Sequence, residues 1–228
     1  MKKEISITFI EIEKWLKENK ENLINSIIKK IKQRENIFYF KLYNKRTLHL
    51  IVYLPYFMFF SDSSIRVEKP SNFQTILRKY VENKRIINVS QKEFDKIIIF
   101  ELHDGNKIIF EFFSEGNIVI VDKNNKIIDA LIKREWRDRK IEKDEEYKFP
   151  PNKNLLKKPL SEIFQILNSE NKSLSKFLME NFGLNLFYSN EILKVLNIND
   201  KICREVSQKE LDAILMKINE ILESKNFY

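Results

Sequence analysis

Residues 95–122, DKIIIFELHDGNKIIFEFFSEGNIVIVD, decide the fold. Three apolar runs rich in Ile, Val and Phe are separated by the turn signals HDGN and SEGN. Gly105 and Gly116 stand where such turns ask for a positive φ. β-Branched and aromatic runs of this length between turn residues read as strands of an antiparallel meander. RIINVS upstream, and IIDALIK after the turn KNNK downstream, extend it. The central run opens on opposed charges, Asp95 and Lys96. Strand side chains alternate, so Asp95, Ile97, Ile99 and Glu101 share one face, and Lys96, Ile98, Phe100 and Leu102 the other. Both faces begin with charge and continue into hydrocarbon. A solvated strand end and a polar rim offered to a partner both fit that pattern.

Before the meander, Thr8 and Glu11 in TFIE have the spacing of a capping box. Ile12, Trp15, Leu16, Leu23, Ile24, Ile27, Ile28 and Ile31 then keep a helical apolar stripe, broken around residues 19–22. IFYFKLYNKRTLHLIVYL reads as a hairpin, and YFMFFS after Pro55 as a further short strand. Phe73, Ile76, Leu77, Tyr80 and Val81 define the buried face of a helix starting near Ser71, with Arg78 on its outer side. After the basic stretch KREWRDRK (133–140), Pro150 and Pro151 mark a boundary, beyond which the periodicity is helical throughout. The expected fold is α+β: an N-terminal domain over 1–152, with a β-meander or sandwich and flanking helices, then an all-α domain over 153–228.

The chain has 228 residues, enough for one large or two modest domains. Its single cysteine, Cys203, excludes an internal disulfide framework and points to a reducing, cytoplasmic setting. Acidic residues interrupt the opening segment, and no apolar run approaches the length of a bilayer span, so no membrane partner is expected. The formal net charge is +8. Residues 1–152 carry 30 Lys or Arg against 23 Asp or Glu, whereas residues 153–228 carry 11 against 10. A localised basic excess suits a phosphate-rich partner, although a composition rich in Lys, Glu and Ile also fits a hot habitat.

Catalytic signals are sparse. The two histidines, His49 in a strand and His103 in a turn, offer no general acid–base pair. Three glycines cannot build a phosphate-cradling loop, and there is no Gly-x-Ser-x-Gly elbow. The expectation is a binding protein with no enzymatic activity, metal or small-molecule cofactor.

The order of features, and above all LRKYVENKRIINVSQKEFDK and EGNIVIVDKNNKIIDAL, resembles the N-terminal module of the NFACT family, which includes RqcH and fibronectin-binding protein A-like proteins. The resemblance covers nearly the whole chain. It implies a fold similar to the N-terminal domain of formamidopyrimidine-DNA glycosylases, followed by a helix-hairpin-helix domain. It also implies a role in ribosome-associated quality control, with tRNA and the large ribosomal subunit as partners and recruitment of tRNA for C-terminal tailing of stalled chains.

By the same resemblance, Asp95 and Lys96 stand where the family carries an Asp-Arg pair implicated in tRNA engagement, and Glu111, Phe112 and Phe113 fall on a second tRNA-associated segment. Lys96 lacks the planar fork of Arg. Phe113 and Ser114 replace a frequent Gly-Arg, and Thr8 replaces an Asp. Arg78, Lys133, Arg134, Arg137 and Arg139 are candidate contacts to the phosphate backbone. Gly183 either lets helix-terminal amides approach a phosphate or simply caps a helix. Two other functions compete. A DNA glycosylase would need an N-terminal Pro-Glu where this chain reads MKKEIS. A protein–protein scaffold would need only exposed aromatic and amphipathic faces.

Overall fold

A computed structural model describes residues 7–66, 69–152 and 154–224. The opening MKKEIS, on which the comparison with glycosylases turns, lies outside them. The chain forms two compact units, one holding Trp15–Pro151 and the other Thr8–Lys14 with the residues from Asn152 onward.

Helix α1 spans Phe9–Leu23. Its start is capped as the spacing requires: the Thr8 amide donates to Glu11 Oε2 at 2.8 Å, and the Ile10 amide to Thr8 Oγ1 at 3.2 Å. The helical stripe does not continue to Ile31. Asn25 turns the chain at a φ of 66°, and Ile27–Arg34 is strand β1. β1, β2 (Ile37–Asn44), β3 (Arg46–Tyr53) and β4 (Phe57–Phe60) form an antiparallel sheet in sequential order. In the β2–β3 hairpin Asn44 faces Arg46, so Lys45 alone turns the corner, at a φ of 56°.

Helix α2 (Asn72–Val81), capped by Ser71, lies along β1. Side chains of the helix and of its C-cap residue, Glu82, satisfy backbone groups of that edge strand. Glu82 Oε1 accepts from the Ile31 amide at 2.7 Å, and the buried Gln74 donates to the Ile31 carbonyl at 3.1 Å. Covering an edge in this way keeps it from templating another strand.

The second sheet is the expected meander. Strands β5 (Ile86–Gln91), β6 (Ile97–Leu102), β7 (Lys107–Glu111), β8 (Asn117–Val121) and β9 (Ile127–Ala130) pair antiparallel in order. Gly105 and Gly116 turn at φ of 89° and 76°. A Cβ on Gly116 would stand 2.6 Å from Leu54 Cβ, so this turn admits only glycine. On one face Phe110 meets Phe100 and, from the first sheet, Phe40, with ring centroids 5.0 and 5.8 Å apart. On the other, Ile97, Ile109, Val119, Val121 and Ile127 are covered by Ile141 and Tyr147. Burial on both faces explains why β8 is apolar at four of five positions instead of alternating. Each such side chain contributes roughly 1.5–3 kcal/mol of transfer free energy.

The stretch KREWRDRK closes into a small hairpin, β10 (Arg134–Glu135) with β11 (Lys140–Ile141), which its charge concealed at the level of sequence. The helical unit comprises α3 (Leu160–Ser169), α4 (Leu174–Phe182), α5 (Leu186–Val195), a 3-10 turn at Cys203–Glu205 and α6 (Gln208–Glu223). The capping box expected at Ser207 and Glu210 is present. Lys201 also binds Glu210 at 2.8 Å, and with the Ser207 amide holds that carboxyl down to about 2. Among the described residues no helix is long and apolar enough to cross a membrane.

Candidate nucleic-acid interface

Strand register brings several of the candidate residues to one end of the meander. Ile97 faces Glu111, and Glu111 faces Asn117. The Phe112 amide donates to the Lys96 carbonyl at 2.8 Å. Asn117 exchanges two 3.0 Å hydrogen bonds with the backbone of Ile132, which holds the exit of β9 beside the entry of β8. The β5–β6 turn, the β7–β8 turn and the start of the β10–β11 hairpin thus form one rim.

Asp95 and Lys96 lie in the β5–β6 turn just before β6, and both are half-buried. The Asp95 amide donates to the Lys92 carbonyl at 2.9 Å, and its carbonyl accepts from Gln91 Nε2 at 2.9 Å. Its carboxylate is less well served. Oδ2 is enclosed and has no hydrogen-bond partner among the described residues. Desolvation, with the neighbouring Glu93 adding to it, raises the carboxyl above its ordinary range, and Lys92 offsets this in part.

Glu111 and Arg139 behave oppositely. Rather than facing a partner, they face each other. Arg139 donates two parallel hydrogen bonds to the Glu111 carboxylate, at 2.7 and 3.1 Å, with side chains only 4% and 2% exposed. Tyr147 donates to the same carboxylate at 2.8 Å. Burial pulls the Arg139 guanidinium down, but the bonds to Glu111 outweigh it and leave it raised; the Tyr147 hydroxyl is raised by burial and by Glu111. Phe112 is also buried. These three positions, expected to meet RNA, are internal instead: the β10–β11 hairpin and Tyr147 enclose Glu111 with Arg139, where a two-sided strand would have exposed the carboxylate.

The surface they support is different. Arg139 lies beneath an aromatic corner, its Cζ 4.7 Å from the Trp136 ring centre and 5.7 Å from that of the half-buried Phe113. Trp136 is 40% exposed, and Arg134 approaches it at 5.9 Å. Sequence reasoning passed over Trp136, although an aromatic within a stretch of five cations was the available signal. Between Phe113, Trp136 and Arg134 lies a recess of about 20 Å³, room for one or two waters and not for a base. Lys133, Arg134 and Arg137 are exposed. Lys133 contacts Asp129 at 2.7 Å, and Arg134 stands 4.0 Å from Glu115.

Arg78 lies outside this set, on α2, bonded to Glu82 at 3.0 Å. Gly183 belongs to the helical unit, where it ends α4 as a left-handed cap with φ 65°. Phe9 and Asn154 lie 3.5 and 3.6 Å from where its Cβ would be. Among the described residues no group of three or more His, Cys, Asp or Glu is arranged to hold a metal.

A family model described as NFACT N-terminal and middle domains matches residues 8–227. The archaeal Rqc2 homolog aRqcH of Methanocaldococcus jannaschii is 30% identical over 213 residues, 85% of this chain and 32% of the relative. Ribosome quality control complex subunit 2 of Saccharomyces cerevisiae is 37% identical over 60 residues, covering 26% of this chain and 6% of that protein. The chain therefore spans about a third of the length of the archaeal relative and far less of the yeast one. Among solved structures, the fibrinogen binding protein from Staphylococcus aureus superposes at a TM-score of 0.76 with 19% identity, over 96% of this chain and 83% of that one. MutM bound to 8-oxo-G DNA superposes at 0.50 with 14% identity, over 95% and 78%, in line with the expected glycosylase-like fold.

Proposed function

The chain belongs to the family of NFACT N-terminal and middle domains, and from that premise we propose that it is a tRNA- and large-subunit-binding module of a ribosome-associated quality control factor, working in the cytoplasm. The observation that carries this reading is the rim of the meander. There a half-buried Asp95, one oxygen of which has no donor among the described residues, stands beside Lys96, while Arg134 approaches an exposed indole and Lys133 and Arg137 are exposed in the same basic stretch. A carboxylate of this kind accepts from a base edge or ribose hydroxyl, and neighbouring cations neutralise phosphates. The names of the relatives supply the ribosomal setting. Recruitment of tRNA for tailing is part of the same reading, as is a helix-hairpin-helix role for α4, Gly183 and α5, whose amides would approach a phosphate. Glu111 and Arg139 enter as positioning residues that hold the hairpin. The module binds and does not catalyse; strand nicking at abasic DNA sites would count against that.

The test is titration of the purified chain with tRNA and with large ribosomal subunits over a range of salt. Affinity should fall steeply as salt rises, with a log–log slope that reports the number of phosphates neutralised. Asp95→Ala and Lys96→Ala should weaken binding at least severalfold while leaving the thermal transition in place. Absence of binding to either partner at low salt would refute the reading.

A second reading, protein docking, has its own observation. Phe57 and Phe59 on the edge strand β4 are 41% and 38% exposed and form a chain of ring contacts with Tyr53 and Tyr56. Complexes that survive both high salt and ribonuclease would favour it.

A further inference from the structure

The exposed indole of Trp136 has no evident task in the core. Ile141 and Tyr147 cover the meander beneath the hairpin, and the hairpin closes through the backbone, with the Trp136 amide donating to the Arg139 carbonyl at 2.8 Å. Its ring is nevertheless held in place. Arg139 stacks on it at 4.7 Å and is itself anchored by the two-pronged bond to the buried Glu111. An aromatic plane supported by a fixed guanidinium, with Arg134 on β10 approaching the ring and Arg137 in the hairpin turn next to it in sequence, offers a π-surface in cationic surroundings. The adjoining recess is too small to engulf a side chain or a base, which favours stacking on the ring over insertion beside it.

We propose that Trp136 is a stacking platform for a single unpaired RNA base, with Arg134 and Arg137 on the phosphates that flank that base. This rests on the RNA-binding reading above and adds a ligand class to it: single-stranded or looped RNA in preference to a continuous duplex. Base–aromatic stacking tolerates any sequence, because every base has a π-face, and is worth about 1–3 kcal/mol per base. A protein partner that buried the same indole is the competing occupant. A purely structural role, in which Trp136 only shields the Glu111–Arg139 pair, is the other alternative.

The experiment compares the chain with its Trp136→Phe, Trp136→Leu and Trp136→Ala variants. The probes are a fluorescein-labelled hairpin RNA with an unpaired loop and a fully paired RNA of the same length. Leucine retains apolar cover over Arg139 without a π-face, so it separates stacking from shielding even if the alanine variant folds poorly. Trp136→Leu should bind the looped RNA roughly five- to a hundredfold more weakly. Trp136→Phe should keep most of the affinity, and the paired RNA should not distinguish the variants. The salt slope should stay unchanged in Trp136→Leu but fall by about one in Arg137→Ala.

The other tryptophan is Trp15, so a Trp15→Phe background makes Trp136 the sole indole, and its emission should be quenched by the looped RNA alone. Equal affinity of Trp136→Leu and wild type for the looped RNA would overturn the platform and leave the RNA-binding reading standing. Binding to neither RNA would overturn both. Capture of a protein through Trp136 with no change in RNA affinity would assign the indole to the competing occupant.

Discussion

Two carboxylates at the same end of the meander have opposite fates. Glu111 ends β7 under the β10–β11 hairpin and Tyr147, and its oxygens accept three hydrogen bonds from Arg139 and Tyr147. Asp95 occupies the neighbouring turn, and one of its oxygens is enclosed with no donor among the described residues. The difference is one of cover. Where a second layer of chain supplies donors, a buried charge becomes a strut; where burial comes without donors, the ionised form is disfavoured and the carboxyl is raised. In a single rim, one acid is thus fully bonded within the fold, and the other is the one to which the proposed function gives recognition.

The contrast breaks most visibly at the strut. Arg139→Ala or Glu111→Ala leaves a buried charge without its partner and should cost about 3–5 kcal/mol, read as a large fall in the denaturant midpoint of the sandwich unit. The paired replacement Glu111→Leu with Arg139→Met should recover much of that loss, because the desolvation penalty goes with the charges. If either single variant were as stable as wild type, the strut would be no strut.

A smaller effect is expected at Tyr147→Phe, which keeps the ring contact with Phe149 at 5.1 Å and removes only the hydroxyl. It should cost about 1.5–3 kcal/mol, the value of a hydrogen bond to a charged group. RNA affinity should change little if the hairpin stays seated.

The smallest stability effect, and the one of opposite sign, belongs to Asp95. Its carboxyl is raised in the folded state by desolvation first and by Glu93 second. A folded-state pKa above the unfolded one means that the ionised group disfavours folding at neutral pH, and that this penalty is relieved as pH falls through the raised value. Asp95→Asn should therefore raise Tm slightly at pH 7, on the order of 1–2 °C, and lose that advantage at acid pH. The same substitution should weaken RNA binding. A thermal-shift series over pH checks the first outcome and a tRNA titration the second. Stabilisation without loss of binding would remove Asp95 from the interface.

The meander was legible because its apolar runs, too long for a one-sided strand, are bounded by turns that need Gly105 and Gly116. β1 was not, for a specific reason. Its register shifts between Ile28 and Lys30, so that Ile28 and Ile31 both point inward three residues apart. A bulge thereby imitates helical spacing and extends the stripe of α1 past the turn at Asn25. The β10–β11 hairpin was hidden because two-residue strands made of charged residues carry no period.

At the rim, Asp95 and Lys96 could be singled out as charges at the head of an apolar run. The partnership of Glu111 with Arg139, 28 residues away, could not. The amino-acid sequence by itself determined the order of the meander strands, the helix caps at Thr8, Ser71 and Ser207 and the basic bias of the first 152 residues, since each depends on neighbours a few positions apart or on simple counts. Only tertiary structure decided which acid finds its donors within the fold and which does not, because that outcome depends on which segment covers a strand end, and coverage is a property of the folded chain.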